Sequence, residues 1–538
     1  MSLPDLSPGP IPGPPPCSSP VDDIVKAFTF SDDDVRITAA HLLQQLKTGL
    51  VHDNLPFQHP SFVTAIPNGS ETGRFLSVDL GGTNCRICLV DLRGDGTFSI
   101  EQQKHAVPQH VRVNERYEPL FDWVASQIGA FLDAAIPGQH SRDSHALHGH
   151  ATLALGFTFS FTCTQTSLAA GTLLHWDKGW DIPSALGRDP CALLQAAVDA
   201  QQLPVRVAAL ANDSVGSLLT WAYTSASATA RTLACVIVGT GTNAAYVEQL
   251  HNVKRICAAG VTTTASRNAV TAMNTEWGCM DDEMRVLPQT RFDDMVDARS
   301  TDCGSQMLEK RVSGLLAVDD SDDCAMAAKT KLVADTLGAE NVSAADVLVV
   351  QRIANAIVTR AARLVGAATA AIVLQSSLLS AAAAVPLEKE QPHVATEAVR
   401  DVTSAPAAPA SSFSNVLRKI RGALLSPIAQ CLDTRRPKIK TDLSTPSPSS
   451  TLSPSSSTSS SPIPPAPLDS PIIDIGVTGS VIEHHPTFEK EMRAALRQVP
   501  GIGSDGDARI RTGLCQDGSA VGAALMVHAA MAQNTASE

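Results

Sequence analysis

Two short turns echo each other along this chain and narrow what it can fold into. Phe75–Val78 is a run of strand-forming residues that breaks into Gly81-Gly82-Thr83-Asn84 and resumes over Ile87–Val90. Leu233–Val238 breaks into Gly239-Thr240-Gly241-Thr242 and resumes over Ala244–Val247. Both read as β-hairpins with glycine-containing turns. Glycine lets backbone N–H groups approach a ligand closely and threonine hydroxyls add donors, so two such turns can clasp a polyphosphate from two sides. Between them, Ala211-Asn212-Asp213-Ser214-Val215-Gly216 supplies one carboxylate, Asp213. Turns and carboxylate together are equipment for moving a phosphoryl group onto a hydroxyl.

The rest of the chain bounds this reading. At 538 residues it exceeds one ordinary core, so two or more domains are expected. A formal net charge of −13 argues against a nucleic-acid binder and suits a soluble cytoplasmic enzyme. The twelve cysteines are scattered and fit a reducing compartment. Cys85 and Cys88 form a close pair, but without a second pair or nearby histidines they read as strand packing rather than zinc ligands. Leu3 to Pro20 is Pro-rich and lacks the apolar core of a secretory signal. The uncharged run Leu364–Leu387 is Ala-rich and interrupted by Gln375, Ser376, Ser377 and Ser380. It reads as a buried helix running into a loop, not as a membrane span.

Strand and helix signals alternate from Phe75 to Val247, an α/β pattern. Leu153–Phe159 and Arg206–Ala211 read as strands, Tyr117–Ala135 and Pro190–Gln202 as helices. Ser31 caps a helix reaching Leu50, with Val35, Ala39, Leu42, Leu43 and Leu46 on one face. Residues 1–20 read as a disordered leader and 325–378 as mainly helical. Residues 381–470 are Ala/Pro/Ser-rich and cannot bury enough apolar surface to offset their chain entropy, so they read as a disordered insertion. Ile472–Val477 resumes as a strand, and a final helix covers Val521–Met531 after Gly518. Within the insertion, Phe413–Leu432 and the basic run Arg435–Lys440 read as a solvated linker or, functionally, as a docking helix for a protein partner or a nuclear-import-like basic motif, spanning 413–440.

Further segments carry a family resemblance. They are Leu155-Gly156-Phe157-Thr158-Phe159-Ser160-Phe161, Leu174-His175-Trp176-Asp177-Lys178-Gly179-Trp180, Asn274-Thr275-Glu276-Trp277-Gly278, Leu308-Glu309-Lys310-Arg311-Val312-Ser313-Gly314, Ile475-Gly476-Val477-Thr478-Gly479-Ser480 and Asp517-Gly518-Ser519-Ala520-Val521-Gly522-Ala523-Ala524. With the two turns and the Asp213 segment, in this order, the chain resembles the hexokinase family on its fungal glucokinase side. The resemblance covers about 21–315, 338–378 and 470–531. It implies a two-lobed α/β fold of the actin-like, sugar-kinase (ribonuclease H-like) type with a cleft between small and large lobes. The small lobe would hold 71–209 with the C-terminal helix 517–534, and the large lobe 21–70, 210–380 and 471–516.

The resemblance also implies roles. The activity would be ATP-dependent transfer of the γ-phosphoryl group to the 6-hydroxyl of glucose or a related hexose, the first step of glycolysis. A primary hydroxyl is a poor nucleophile, and a carboxylate that takes its proton is worth ~10²–10⁴ in rate. Asp213 matches the family's base, although Asp is also a frequent helix cap. Lys178 matches a residue that contacts sugar and phosphate and is the second catalytic candidate. Ser160, Asn212, Asn243, Glu276 and Glu309 match hexose ligands; from composition alone the two glutamates read equally as solvated surface carboxylates. Gly82, Thr83, Asn84 and Arg86 match the first phosphate segment, Thr240 and Gly241 the second, and Gly479, Ser480 and Ser519 positions near the adenosine. Asp79 would hold Mg²⁺ through water. Gly518-Ser519-Ala520-Val521-Gly522 lacks the lysine of a P-loop.

The chain departs from the family pattern at Asp177, Thr162, Thr478 and Ala520. A short, Asp-rich Leu315–Leu337 stands where a long nucleotide-contacting stretch is usual. These departures gather on the nucleotide side. Two readings follow: an active hexose kinase, or a catalytically weak, sugar-binding regulator that keeps the cleft.

Overall fold

The first hairpin closes as its sequence demands. In the computed structural model, β2 (Thr72–Leu80) and β3 (Asn84–Arg93) pair antiparallel around Gly81-Gly82-Thr83, with Asp79 opposite Arg86. β4 (Phe98–Ala106) pairs with β3 at the edge, its side chains largely in solvent. β5 (Leu153–Phe159) and β8 (Val205–Ala211) add in parallel on the other side, so the sheet order is β4-β3-β2-β5-β8. The structure describes residues 19–52, 54–136, 152–176, 179–227, 229–254, 269–300, 302–313, 330, 341–379 and 472–535. The leader up to residue 18, Asp177, Lys178, most of 314–340 and the insertion with its 413–440 segment lie outside them.

The second hairpin seeds a second sheet. β9 (Ala230–Val238) and β10 (Thr242–Gln249) pair antiparallel around Gly239-Thr240-Gly241. β11 (Val270–Asn274) joins β10, and the two-residue β1 (His59–Pro60) joins β11, both antiparallel. β12 (Ile472–Thr478) and β13 (Ile510–Leu514) run parallel to β9, giving the order β1-β11-β10-β9-β12-β13. A small separate hairpin is formed by β6 (Thr162–Ser167) and β7 (Ala170–His175).

Two helices fill the space between the sheets. Asp213–Thr224 packs on β9 and β10, Gly518–Thr535 packs on β2, β5 and β8, and the two helices pack on each other. The layers are therefore sheet, helix, helix, sheet. The helix pair is tight enough to require glycine: a Cβ on Gly522 would lie 2.1 Å from Gly216 Cα. The starts of both helices meet as well, since a Cβ on Gly518 would lie 2.4 Å from Ser217 Oγ.

Helices cover the outer face of the second sheet. Ser31 accepts from the Asp34 backbone N–H while the Asp34 carboxylate accepts from the Ser31 N–H, a capping box that starts Asp32–Val51. Val35, Ala39, Leu42 and Leu46 are buried along one face, and Leu43 packs half-buried beside them. The long helix Ala344–Gln375 lies against this helix and against Phe488–Gln498. It is apolar enough to cross a membrane, yet 78 % of its most apolar window is buried in the protein, as expected for a core helix.

The cysteine pair behaves as strand residues do. Cys85 enters the core beneath the helix Glu118–Ala135, and Cys88 enters the core shared with the C-terminal helix. Strand residues three apart face opposite sides, which directs the two thiols away from one another.

Candidate functional site

Each glycine turn presents its threonine to solvent and is held from behind. The first turn is held by an aromatic cluster. Trp180 Nε1 donates to the Gly82 carbonyl at 2.6 Å. Trp180 stacks on Trp176 at 5.5 Å between ring centroids and lies 4.8 Å from Phe161, which in turn contacts Phe159. The segments Leu155–Phe161 and Leu174–Trp180 thus act together as a buttress. Ser160 sits at the end of β5, its backbone N–H donating to Leu80 O at 3.2 Å.

Beside this turn lies a charged ring. Arg86 Nη2 donates to Asp79 Oδ2 (3.1 Å) and to Ser519 Oγ (2.6 Å), and Ser519 Oγ donates to Asp79 Oδ2 (2.9 Å). Arg86 Nη1 reaches Asp517 Oδ1 at 3.5 Å. Thr158 Oγ1 donates to the Ser519 carbonyl at 3.2 Å, tying the C-terminal helix to β5. Ser519 therefore lies with Asp79 and Arg86, whereas the sequence groups it with Gly479 and Ser480. Those two residues sit elsewhere, against the second turn: a Cβ on Gly239 would lie 3.5 Å from Ser480 N and 3.6 Å from Gly479 Cα. Thr478, one of the departures, donates its hydroxyl to Glu483 at 3.3 Å, and the same Glu483 oxygen accepts from Gly479 N at 2.8 Å.

Glu309 also closes on the second turn. Its Oε2 accepts from Thr242 N at 2.8 Å, and a Cβ on Gly241 would lie 2.9 Å from the same oxygen. Trp277 Nε1 donates to Thr242 Oγ1 at 3.1 Å.

Between the two turns lies a polar network. Asn243 Nδ2 donates to Asn274 Oδ1 (2.9 Å) and Glu276 Oε1 (3.3 Å), and Asn274 Nδ2 donates to Glu276 Oε1 (2.7 Å). Ser214 Oγ donates to Asn212 Oδ1 at 2.6 Å and stands 3.1 Å from Asn274 Oδ1. Glu276 holds a left-handed backbone, φ 45°, which aims its side chain back at this network. Asn212, Asn274 and Glu276 line a small cavity whose other wall is Phe159, Phe161, Thr162 and Cys163, so residues attached to both sheets enclose it. Burial pushes the Cys163 thiol up to about 12, with the Asp189 carboxylate adding to the effect. A much larger cavity, about 860 Å³, lies at the opposite end of β9 and β10, beside Ile66, Glu248 and Leu378; none of the site residues above lines it.

Asp213 is the first residue of its helix, and Asn212, not Asp213, is the N-cap. Asn212 Oδ1 accepts from Ser214 N at 2.9 Å and Asp213 Oδ1 accepts from the same N–H at 2.8 Å, so both side chains serve the helix start. One helical turn on, a Cβ on Gly216 would lie 3.0 Å from Gly518 O and 3.5 Å from Ser519 Cα. Asp213 thus starts the helix that touches the carboxamide network on one side and the Ser519 ring on the other.

Sequence reasoning missed Asn274, Ser214 and Asp517. Asn274 ends β11 two residues before Glu276, and Ser214 follows Asp213 directly; in both cases the signal was adjacency to a residue already singled out. Lys178 and Asp177 lie outside the described residues.

Two mixed sheets, a helix pair between them and a polar cleft beside two glycine turns define a two-lobed sugar kinase. Solved structures agree: a hexokinase from Schistosoma mansoni complexed with glucose superposes with a TM-score of 0.63 at 24 % identity, over 94 % of this chain and 98 % of that one. Residues 20–223 match one hexokinase domain family, and 233–317, 315–398 and 458–529 match a second. A glucokinase of Aspergillus niger is 35 % identical over 534 residues, covering 95 % of this chain and 97 % of that protein. A hexokinase-2 of Schizosaccharomyces pombe is 30 % identical over 507 residues, covering 94 % and 95 %. The chain belongs to the hexokinase family and is an ATP-using phosphotransferase with a hexose hydroxyl as acceptor.

Proposed function

We propose that this enzyme phosphorylates the 6-hydroxyl of glucose in the cytoplasm, with Asp213 as general base. The observation that carries the reading is the position of the Asp213 helix: Ser214 bonds to the Asn212–Asn274–Glu276 network, and Gly216, one turn on, packs against the backbone of Gly518 and Ser519 beside the Asp79–Arg86 pair. In the reaction the hexose O6 bonds to the γ-phosphorus, the bond from that phosphorus to the β,γ-bridging oxygen breaks, the O6 proton passes to Asp213, and ADP leaves. Asn212, Asn243, Glu276, Glu309 and Ser160 bind sugar hydroxyls, and a site of paired amides and carboxylates rejects sugars that leave those groups unpaired. Gly82, Thr83, Asn84, Thr240 and Gly241 offer backbone and hydroxyl donors to the phosphates. Arg86 and Lys178 offset charge on the transferring group. Gly479, Ser480 and Ser519 bound the nucleotide. We assign 71–209 with the last helix to the small lobe, and 21–70, 210–380 and 471–516 to the large one.

Asp79 fits a magnesium site. Its carboxylate is about 20 % exposed at a strand end beside the first turn, the hard oxygen ligand and solvent access that Mg²⁺ takes. Mg²⁺ there would neutralise charge on the nucleotide's phosphates.

The test is direct. Purified enzyme with glucose and Mg-ATP yields glucose 6-phosphate, and Asp213→Ala lowers kcat by ~10²–10⁴ while glucose still binds. An Asp213→Ala enzyme that turns over within tenfold of the parent would overturn the assignment of the base. A hexose panel read by product analysis checks the preference for glucose.

A further inference from the structure

Asp517 has no role in the reading above, yet it completes the ring around Arg86. It precedes Gly518, the first residue of the C-terminal helix, and holds φ +53°. A glycine would adopt that left-handed backbone freely, whereas a residue with a Cβ is strained there, Asp and Asn less than most. A strained non-glycine beside a functional cluster points to what its side chain does. That side chain reaches Arg86 Nη1 at 3.5 Å, while Arg86 Nη2 spends its donors on Asp79 and Ser519.

We propose that Asp517 is a positioning residue for phosphoryl transfer, holding the Arg86 guanidinium in place when Asp79 leaves it. The inference rests on the roles proposed above for Arg86 and Asp79. Asp79 Oδ2 serves two donors, Arg86 and Ser519, and a hydrated cation competes with both. Once Asp79 turns to the cation, Arg86 keeps one carboxylate, bound at Nη1. The Nη2 N–H that Asp79 held is then released to donate to a phosphoryl oxygen, the other staying on Ser519 Oγ. Anchoring one edge of a planar guanidinium fixes the direction of the other, which an unanchored four-torsion side chain does not do. The competing explanation is that Asp517 is an acidic residue at a helix N-terminus and acts only through the helix dipole.

The experiment uses the full chain with Asp517→Asn, Asp517→Gly, Arg86→Ala and the Asp517→Asn/Arg86→Ala double variant. Asn tolerates the left-handed backbone and glycine relieves it, so both single variants retain the fold. Expected is a fall in kcat of about tenfold to a hundredfold in both, with the KM for glucose within about twofold of the parent. Calorimetric affinity for a non-hydrolysable Mg-ATP analogue, measured with glucose bound, falls about fivefold in both. In the Arg86→Ala background, Asp517→Asn costs nothing further in either readout, because the effect passes through Arg86. Unchanged kcat and analogue affinity in Asp517→Asn overturn the proposal. So does a loss that adds to that of Arg86→Ala, or one that follows only the melting temperature. An Arg86→Ala enzyme with parental kcat and analogue affinity would instead sink the phosphate role of Arg86 itself.

Discussion

The two glycine turns look alike in sequence and are both hairpin tips, but they are supported in different ways. The first rests on stacked aromatics and carries a charged ring at its side. Among the described residues the second is flanked instead by Gly479, by Ser480 and by the carboxylate of Glu309. Glu309 lies on a short helix, Glu309–Val312, seated on the helices Arg291–Arg299 and Ala344–Gln375. Those two helices are joined by a buried ion pair, with Arg360 Nη1 and Nη2 donating to Asp293 Oδ2 and Oδ1 at 2.8 and 2.7 Å. Damage at the first turn should therefore appear as lost chemistry, and damage at the second as lost stability or lost sugar affinity.

The largest expected effect tests the support of the second turn. Asp293→Asn leaves the Arg360 guanidinium buried without its countercharge, which costs ~3–5 kcal/mol of folding stability. The Asp293 pKa gives the pH signature. Burial pushes it up, but hydrogen bonds and charge from Arg360 outweigh that, and the net shift is downward. A depressed carboxylate stabilises the fold above its unfolded pKa, about 3.9, and that contribution is lost as pH falls through the lower folded value. Thermal melts should show the parent well above Asp293→Asn from pH 7 to about 5, with the gap closing below pH 4. A gap that stays constant down to pH 2 would remove the ion pair as the cause.

Side-chain truncation at the tips sharpens the contrast. Arg86→Ala should lower kcat about 10²–10³-fold with little change in melting temperature, the scale of removing one donor aimed at developing charge. Thr240→Ala, at an exposed tip, should cost about tenfold or less. Equal losses in the two variants, measured as kcat at saturating glucose and Mg-ATP, would mean the turns share the work evenly.

Much of this arrangement was legible in the sequence, for local reasons. Both hairpins were marked by β-runs broken at glycine, and Leu153–Phe159 is a strand with the expected limits. Ser31 caps its helix as read, and the apolar run from Leu364 lies in a buried helix. Contacts between distant segments were not legible. Nothing around Ser519 says that it meets Asp79, 440 residues away, because that contact depends on the C-terminal helix packing across β2, β5 and β8.

The smallest effect separates the turns at the backbone itself. Alanine at Gly241 puts a methyl group 2.9 Å from Glu309 Oε2, inside van der Waals contact, with that oxygen already bound to Thr242 N. Either Glu309 shifts or the Thr242 hydrogen bond breaks, and losing one such bond to a charged group is worth ~1.5–3 kcal/mol at most. Relaxation of the flexible carboxylate reduces this, so Gly241→Ala should raise the KM for glucose about tenfold while kcat falls less. Alanine at Gly81 meets nothing nearer than Asn84 O at 3.8 Å, ordinary contact distance, so steady-state constants there should stay within about threefold of the parent. If Gly81→Ala proves the more damaging of the two, close approach of a ligand to the first turn, rather than packing within the protein, sets the need for glycine there.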